Sequence, residues 1–316
     1  MCIFAKPVVS VTDTNIFARL LPNSWQYLVY QMAFQTRTAN AIILPLPVAL
    51  PAGGKSLRFV SLKGYGDFFK DLSKGFPLAL PESPVQSRSL GANKAERASK
   101  LIVHEVGDSI ASFVPTLADF DRLDRQFRVP RESWDKIPLY RDYGFAVFQL
   151  KSKKGKPHPM AFQFQSRLAQ KDGGSIFFPT VHIHDGEVHK REKFDHTLFL
   201  QSSEFDKACG DYVKRGYLVT DKSTGYVRSK WPAAEFCNIA RTKGIVDGKA
   251  LVHQLKMRGT LPNTDVLAYR NLSHKKKKAG FNPAAAAGLA GLIGAAAGMK
   301  WFCDRRNQVA REEADV

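Results

Sequence analysis

Apolar and polar residues alternate with a period of two along much of this chain, and that period predicts strands. Trp25 to Phe34 (WQYLVYQMAF) is rich in aromatic and β-favouring residues, and Asn40 to Val48 (NAIILPLPV) is a short apolar run. With CIFAKPVVSV and NIFARLL they predict an antiparallel meander in the first fifty residues. Pro45 and Pro47 cannot donate ladder hydrogen bonds, so the strand is expected to end or to run along a sheet edge there. Alternation returns in GFAVFQL (Gly144 to Leu150) and MAFQFQSRL (Met160 to Leu168), joined by the basic turn KSKKGKPHP. SIFFPTVHIH, EVHKREKF and HTLFLQSS follow, with KDGG and DG as turn signals, which predicts an antiparallel sheet of about five strands.

A period of three to four residues marks the helices. It is weak in Gly66 to Phe76 and clear in Thr116 to Phe127, where Leu117, Phe120, Leu123 and Phe127 form one stripe and acids and arginines fill the rest. EFDKACGDYVKRGY and PAAEFCNIARTKGIV also read as helical, with Pro232 placed to start the second. Glu82 to Lys100 is polar and reads as an exposed excursion. The fold class predicted is α+β, mainly antiparallel β-sheet in meander and hairpins, with peripheral helices and a C-terminal Ala/Gly-rich helix. A globular domain spans residues 1–270, or two subdomains of about 1–140 and 141–270; a basic linker at 271–282, a membrane or packing helix at 283–302 and a polar tail at 303–316 follow.

That last helix is the sharpest change of composition. After Lys275, Lys276, Lys277 and Lys278, the stretch from Pro283 to Met299 carries no charge. Asn282 and Pro283 suit an N-cap and first turn. Extended to Trp301-Phe302, the helix would be about 30 Å long, matching a bilayer core. Gly288, Gly291, Gly294 and Gly298 form a small-residue stripe suited to close helix packing or self-association. Trp301 suits an interface, and the four lysines before the helix favour a cytoplasmic domain anchored at its C-terminal end. Alanine and glycine are weakly apolar, so a helix packed within the protein, or a tail, is the alternative.

Charge and chemistry add three further expectations. The formal charge of +18 over 316 residues points to anionic partners. Anionic membrane lipids fit the lysines at 275–278 and the turn Lys151 to Lys156, while a nucleic-acid partner lacks any zinc-finger, helix-turn-helix or aromatic RNA-binding motif. Cys2, Cys209, Cys237 and Cys303 are widely spaced and suggest neither a disulfide framework nor a zinc knuckle. The N-terminus lacks the features of a secretory signal.

TVHIHDGEVH, Thr180 to His189, holds three histidines, an aspartate and a glutamate. If Asp185-Gly186 makes a two-residue hairpin turn, His184 lies opposite Glu187 and His182 opposite His189, all on one face. Such a face is within reach of one divalent metal, zinc, iron or manganese, held by His182, His184, His189 and Glu187, with Glu187 also a candidate general base. Asp195 and His196 would join it if the chain folds back. The same pattern describes the solvated side of a hairpin. Cys2 is a candidate nucleophile: with Met1 removed, this start resembles N-terminal-nucleophile hydrolases, in which the free amine serves as base and Arg19 could bind a carboxylate. The expected function is a membrane-associated binding or structural protein, with a metal-dependent hydrolase or oxygenase and an N-terminal cysteine amidohydrolase as alternatives.

Overall fold

The alternation is realised as two large sheets in a computed structural model that describes residues 2–77, 103–106, 109–171, 174–208, 213–214, 217–218, 220–221 and 224–268. Sheet A has six strands in the order β12 (His182–Ile183), β1 (Cys2–Phe4), β4 (Ala41–Leu46), β8 (Gly144–Leu150), β7 (Ser109–Val114) and β6 (Val103–Val106). Sheet B runs β16 (Val227–Arg228), β17 (His253–Pro262), β13 (Arg191–Gln201), β2 (Ser10–Leu20), β3 (Trp25–Gln35), β10 (Met160–Gln165) and β5 (Leu57–Ser61), with β9 (Lys154–Gly155) also on β3. Two short ribbons pair β11 (Ile176–Phe178) with β18 (Val266–Ala268) and β14 (Val213–Lys214) with β15 (Tyr217–Leu218). Pairing is antiparallel except between β1 and β12 and between β13 and β2. Four helices of one or two turns, α1 (Phe68–Lys74), α2 (Arg131–Asp135), α3 (Arg167–Lys171) and α4 (Ser203–Ala208), lie between strands. The chain is α+β and dominated by antiparallel sheet.

Successive residues of sheet B feed two different apolar layers, because side chains alternate across a strand. Ile16, Ala18, Leu28 and Tyr30 enter the layer shared with sheet A, where Phe148 of β8 meets Phe59 and Phe162 of sheet B at ring separations of 5.6 and 6.0 Å. Phe17, Val29 and Phe199 enter a second layer on the other face. Phe68, Phe69 and Leu72 of α1 cover it, together with Ile245, Val246 and Val252. The apolar stripe of α1 is thus the lid of the second layer.

Several expectations are corrected by this arrangement. CIFAKPVVSV is two strands, since β1 belongs to sheet A and β2 to sheet B, with Pro7 between them. At Pro45 the expectation agrees with the structure: β1 pairs only with Ile42 and Ile43 of β4, and Pro45, which pairs with Phe145 of β8, lies along the edge beyond them. A division near residue 140 has no counterpart, because β4 pairs with β8, β3 with β10 and β2 with β13.

Thr116 to Phe127 buries its stripe as expected but forms two 3-10 turns, Leu117–Arg122 and Arg125–Phe127, because Leu123 is extended and the Asp124 carboxylate accepts the Gln126 amide. PAAEFCNIARTKGIV likewise forms 3-10 turns at Ala233–Glu235 and Ile239–Thr242. The excursion Glu82 to Lys100, the lysines 275–278, the glycine stripe and Trp301 lie outside the described residues. Among the described residues no helix is long and apolar enough to cross a membrane.

Phe162, fully buried between the sheets, tests this layering. Phe162→Ala is expected to cost about 3–5 kcal/mol in urea unfolding, the usual cost of emptying an aromatic core site. A loss below about 1 kcal/mol would mean that the two sheets do not share this layer.

Candidate functional site

A turn does form at Asp185-Gly186, with Gly186 at φ 92, but it does not start a hairpin. The Asp185 carboxylate accepts the Glu187 amide at 2.9 Å and meets His189 Nε2 at 2.8 Å, so the turn folds onto its own aspartate. β12 pairs instead in parallel with β1, placing His182 opposite Cys2 and Ile183 opposite Ile3. The expected face is therefore divided. His189 and Glu187 stay on the surface, His189 with Asp185 and Glu187 with the Lys136 ammonium. His182 and His184 turn inward.

Inside they meet His196 of β13, the residue the sequence placed nearby only if the chain folds back. His182 and His196 are about 2% and 1% exposed, and their Nε2 atoms lie 2.9 Å apart. The His182 ring stacks on Phe194, His184 and His196 at centroid distances of 4.4, 4.9 and 4.6 Å, and Phe4 packs edge-on against His184. The triad thus joins the edge of sheet A to sheet B. An N–H···N bond fits between His182 and His196, which requires one proton on the facing pair of nitrogens. Nδ1 of His182, Nδ1 of His196 and Nε2 of His184 are buried without a hydrogen-bond partner.

Burial disfavours charge on all three rings. It lowers His184 to about 4 and His196 to about 3, and His182 is lowered further, with the neighbouring imidazoles adding to the effect. The triad is neutral at pH 7. Among the described residues no group of three or more His, Cys, Asp or Glu side chains is arranged to hold a metal ion, and the zinc, iron or manganese site expected from His182, His184, His189 and Glu187 loses its basis in a shared hairpin face.

Other candidates are placed as follows. Arg19 lies opposite Tyr27 and Gln201 in sheet B, donates to the Gly244 carbonyl and sits 3.9 Å from Asp247, so the loop at 244–247 occupies it. Cys2 is in register with His182, and Arg19 takes no part in that pairing. Cys237 is buried and burial pushes its thiol up to about 12, the state of a structural cysteine. A cleft lined by Phe120, Asp121, Arg125, Arg128 and Trp134 commits its Arg128 to the Asp121 and Leu123 carbonyls.

The basic turn is held in place by the sheet. β9 pairs Lys154 and Gly155 with the end of β3, and the Thr36 amide donates to the Lys153 carbonyl. Lys151, Lys153, Lys154 and Lys156 are all exposed. Asn40, fully buried, accepts the Lys6 amide and donates to the Lys6 carbonyl, drawing Lys6 to the same end, and Arg37 is exposed in the loop before it. Val9, 51% exposed, is fixed beside them by its amide bond to the Gln35 carbonyl.

No family model and no curated protein matches this chain. Solved structures of baculovirus p35 are similar to it. Baculovirus p35 aligns with a TM-score of 0.43 at 13% identity, over 82% of this chain and 96% of that one. A mutated baculovirus p35 after caspase cleavage gives 0.39 at 13%, over 83% and 98%, and the caspase-8/p35 complex gives 0.39 at 12%, over 82% and 96%. No residue role is carried over from them.

The triad makes stability depend on pH. Each ring has a folded pKa below the unfolded value, so the unfolded chain binds more protons in acid and stability is lost as pH falls below about 6.5. Each ring contributes up to about 1.4 kcal/mol per pH unit, so three give at most about 4 kcal/mol between pH 6.5 and 5.5. Urea unfolding at these two pH values should show this loss in the natural chain and a clearly smaller one in His182→Phe/His196→Phe; equal losses would separate acid sensitivity from the triad.

Proposed function

We propose that this protein is a non-enzymatic binding module that rests on anionic membrane lipids through its basic end. The observation that carries this reading is the exposed set Lys151, Lys153, Lys154 and Lys156, fixed by β9 pairing with β3, beside Lys6 and Arg37. A backbone held by sheet hydrogen bonds lets the exposed Lys151, Lys153 and Lys154 offer charge to a surface without first ordering a loop, while Lys156 pairs with Asp13. Each lysine close to an anionic bilayer contributes about 1 kcal/mol. Val9 adds an exposed apolar side chain among these cations, as suits the boundary between headgroups and acyl chains.

The lysines at 275–278 and the uncharged stretch at 283–299 fit the same reading as a second, C-terminal contact on the cytoplasmic side. A catalytic reading has less support: His182, His184 and His196 are held neutral by burial, His189 is apart from them at the surface with Asp185, and Glu187 is paired with Lys136.

Sedimentation of the full chain with vesicles of phosphatidylcholine, with and without phosphatidylserine, tests the proposal. Binding should need phosphatidylserine and weaken with salt. Lys151→Glu/Lys153→Glu/Lys154→Glu should weaken it by at least about 3 kcal/mol, roughly two orders of magnitude. Unchanged binding by this variant, or equal binding to uncharged vesicles, would refute the basic end as the contact. Binding to RNA in preference to vesicles would replace the lipid by a nucleic acid.

A further inference from the structure

The buried imidazoles take no part in that contact, yet a chain of polar contacts ties them to it. His196 Nδ1 lies 3.6 Å from Asp195 Oδ1, within ion-pair reach but too long for a hydrogen bond. Asp195 Oδ2 accepts the Asp13 amide at 2.6 Å. The Asp13 carboxylate in turn accepts the ammonium of Lys156, the last lysine of the basic turn, at 2.5 Å. Asp13 sits where the pairing of β2 with β3 shifts register between Thr12 and Asn15, and its φ of 51 is in the left-handed region. A non-glycine residue stays there only when its surroundings hold it, and the bonds to Asp195, Lys156 and Asn15 supply that hold.

We propose that the histidine triad is a proton sensor for the basic turn, and that its protonation strengthens binding to anionic lipid surfaces. This rests on the membrane reading above and assigns its regulation. The bond between His182 and His196 needs one proton on the two facing nitrogens, and a second turns it into a contact between two N–H groups on like charges. Doubly protonated, His196 holds an Nδ1–H toward Asp195 whichever tautomer the neutral ring had, and its positive charge strengthens the pull on the carboxylate. A shift of the Asp195 carboxylate toward that proton takes it from the Asp13 amide. Asp13 then loses what holds it in the left-handed region, and its carboxylate withdraws from Lys156. The freed ammonium joins Lys151, Lys153 and Lys154 at the lipid surface.

Groups facing the triad act in both directions. Asp195 and Asp185 favour its charged form, as the effect of Asp195 on His196 and of both on His184 records. The mutual repulsion of the rings opposes it. Arg258 donates to the His196 carbonyl, and its charge helps keep Asp195 ionised. Asp265 accepts the amides of Thr180 and Val181, and His189 stays with Asp185 at the surface. In the closed form His184 and His196 titrate only near 4 and 3, whereas solvated rings gain protons below about 6.5, so acid favours opening.

Phosphatidylserine vesicles at about pH 7.5 and about pH 5 provide the test, since histidine is the side chain whose ordinary titration falls between them. The full chain should bind about fivefold more tightly at the lower pH, the worth of one freed lysine. His182→Phe/His196→Phe should bind as the natural chain does at the higher pH and show no acid gain. Asp13→Asn, which leaves the buried rings in place, should give the acid-like affinity already at about pH 7.5. An acid gain that survives in the histidine variant, or an Asp13→Asn chain unchanged at the higher pH, would overturn the sensor. If the natural chain shows no pH dependence while Lys151→Glu/Lys153→Glu/Lys154→Glu abolishes binding, the sensor fails and the surface stands. If that lysine variant binds as tightly as the natural chain, the basic end is not the contact and the surface reading fails together with the sensor.

Discussion

Burial of sheet B on both faces is the constraint on which the rest of this structure depends. An antiparallel sheet ordinarily packs one face and wets the other, whereas here Ile16 and Phe17, adjacent on β2, are both fully buried in different layers. Two covers are therefore required. Sheet A supplies one through Phe148, Ile43 and their neighbours; α1 and residues 233–252 supply the other. The chain crosses from sheet B to sheet A after β3, after β5 and again between β10 and β12, which is why strands distant in sequence lie side by side and why no cut near the middle yields two independent cores.

This double burial also explains which parts of the fold are legible in the sequence. The strands are, because WQYLVYQMAF is rich in aromatic and β-favouring residues and MAFQFQ alternates with the pleat. Their partners are not. Parallel pairing of β13 with β2 joins residues such as Leu198 and Ile16, and nothing in either segment marks the other. Helical periodicity correctly identifies the buried stripe of Phe120, Leu123 and Phe127 but not the backbone, since Asp124 turns the chain by accepting a neighbouring amide. At Asp185-Gly186 the residue pair signals a turn and the turn is there. What the pair cannot show is that Asp185 binds Glu187 and His189 of its own loop while β1 offers His182 a different neighbour.

The candidate site was half visible for the same reason. HxH names His182 and His184, and His196 lies close behind, but their convergence depends on β12 joining sheet A while β13 joins sheet B. Asp13 carries a weak signal of its own: DTN is a run of turn-forming residues between two stretches of strand, the kind of interruption that marks a bulge. The lysines of KSKKGK were legible outright, because a lysine cluster beside glycine has no core to enter.

A buried cluster of imidazoles is costly, and its persistence has a physical requirement. Each polar atom buried without a partner costs about 1–3 kcal/mol, and three such ring nitrogens together rival the net stability of about 5–15 kcal/mol typical of a domain. The left-handed Asp13 adds strain of about 1 kcal/mol or more. Only a large apolar core can offset both, and the aromatic layers on either face of sheet B provide it. His182 lies on β12 and His184 just after it, and β12 pairs with β1 over only two residues at the edge of sheet A, so few ladder hydrogen bonds on that side would have to break if the rings separate. His196 is anchored opposite Met257 in the middle of β13, so separation of the rings falls to the β12 side. At that edge the buried cluster lets the core pay for a local, proton-dependent instability that reaches the surface through Asp195, Asp13 and Lys156.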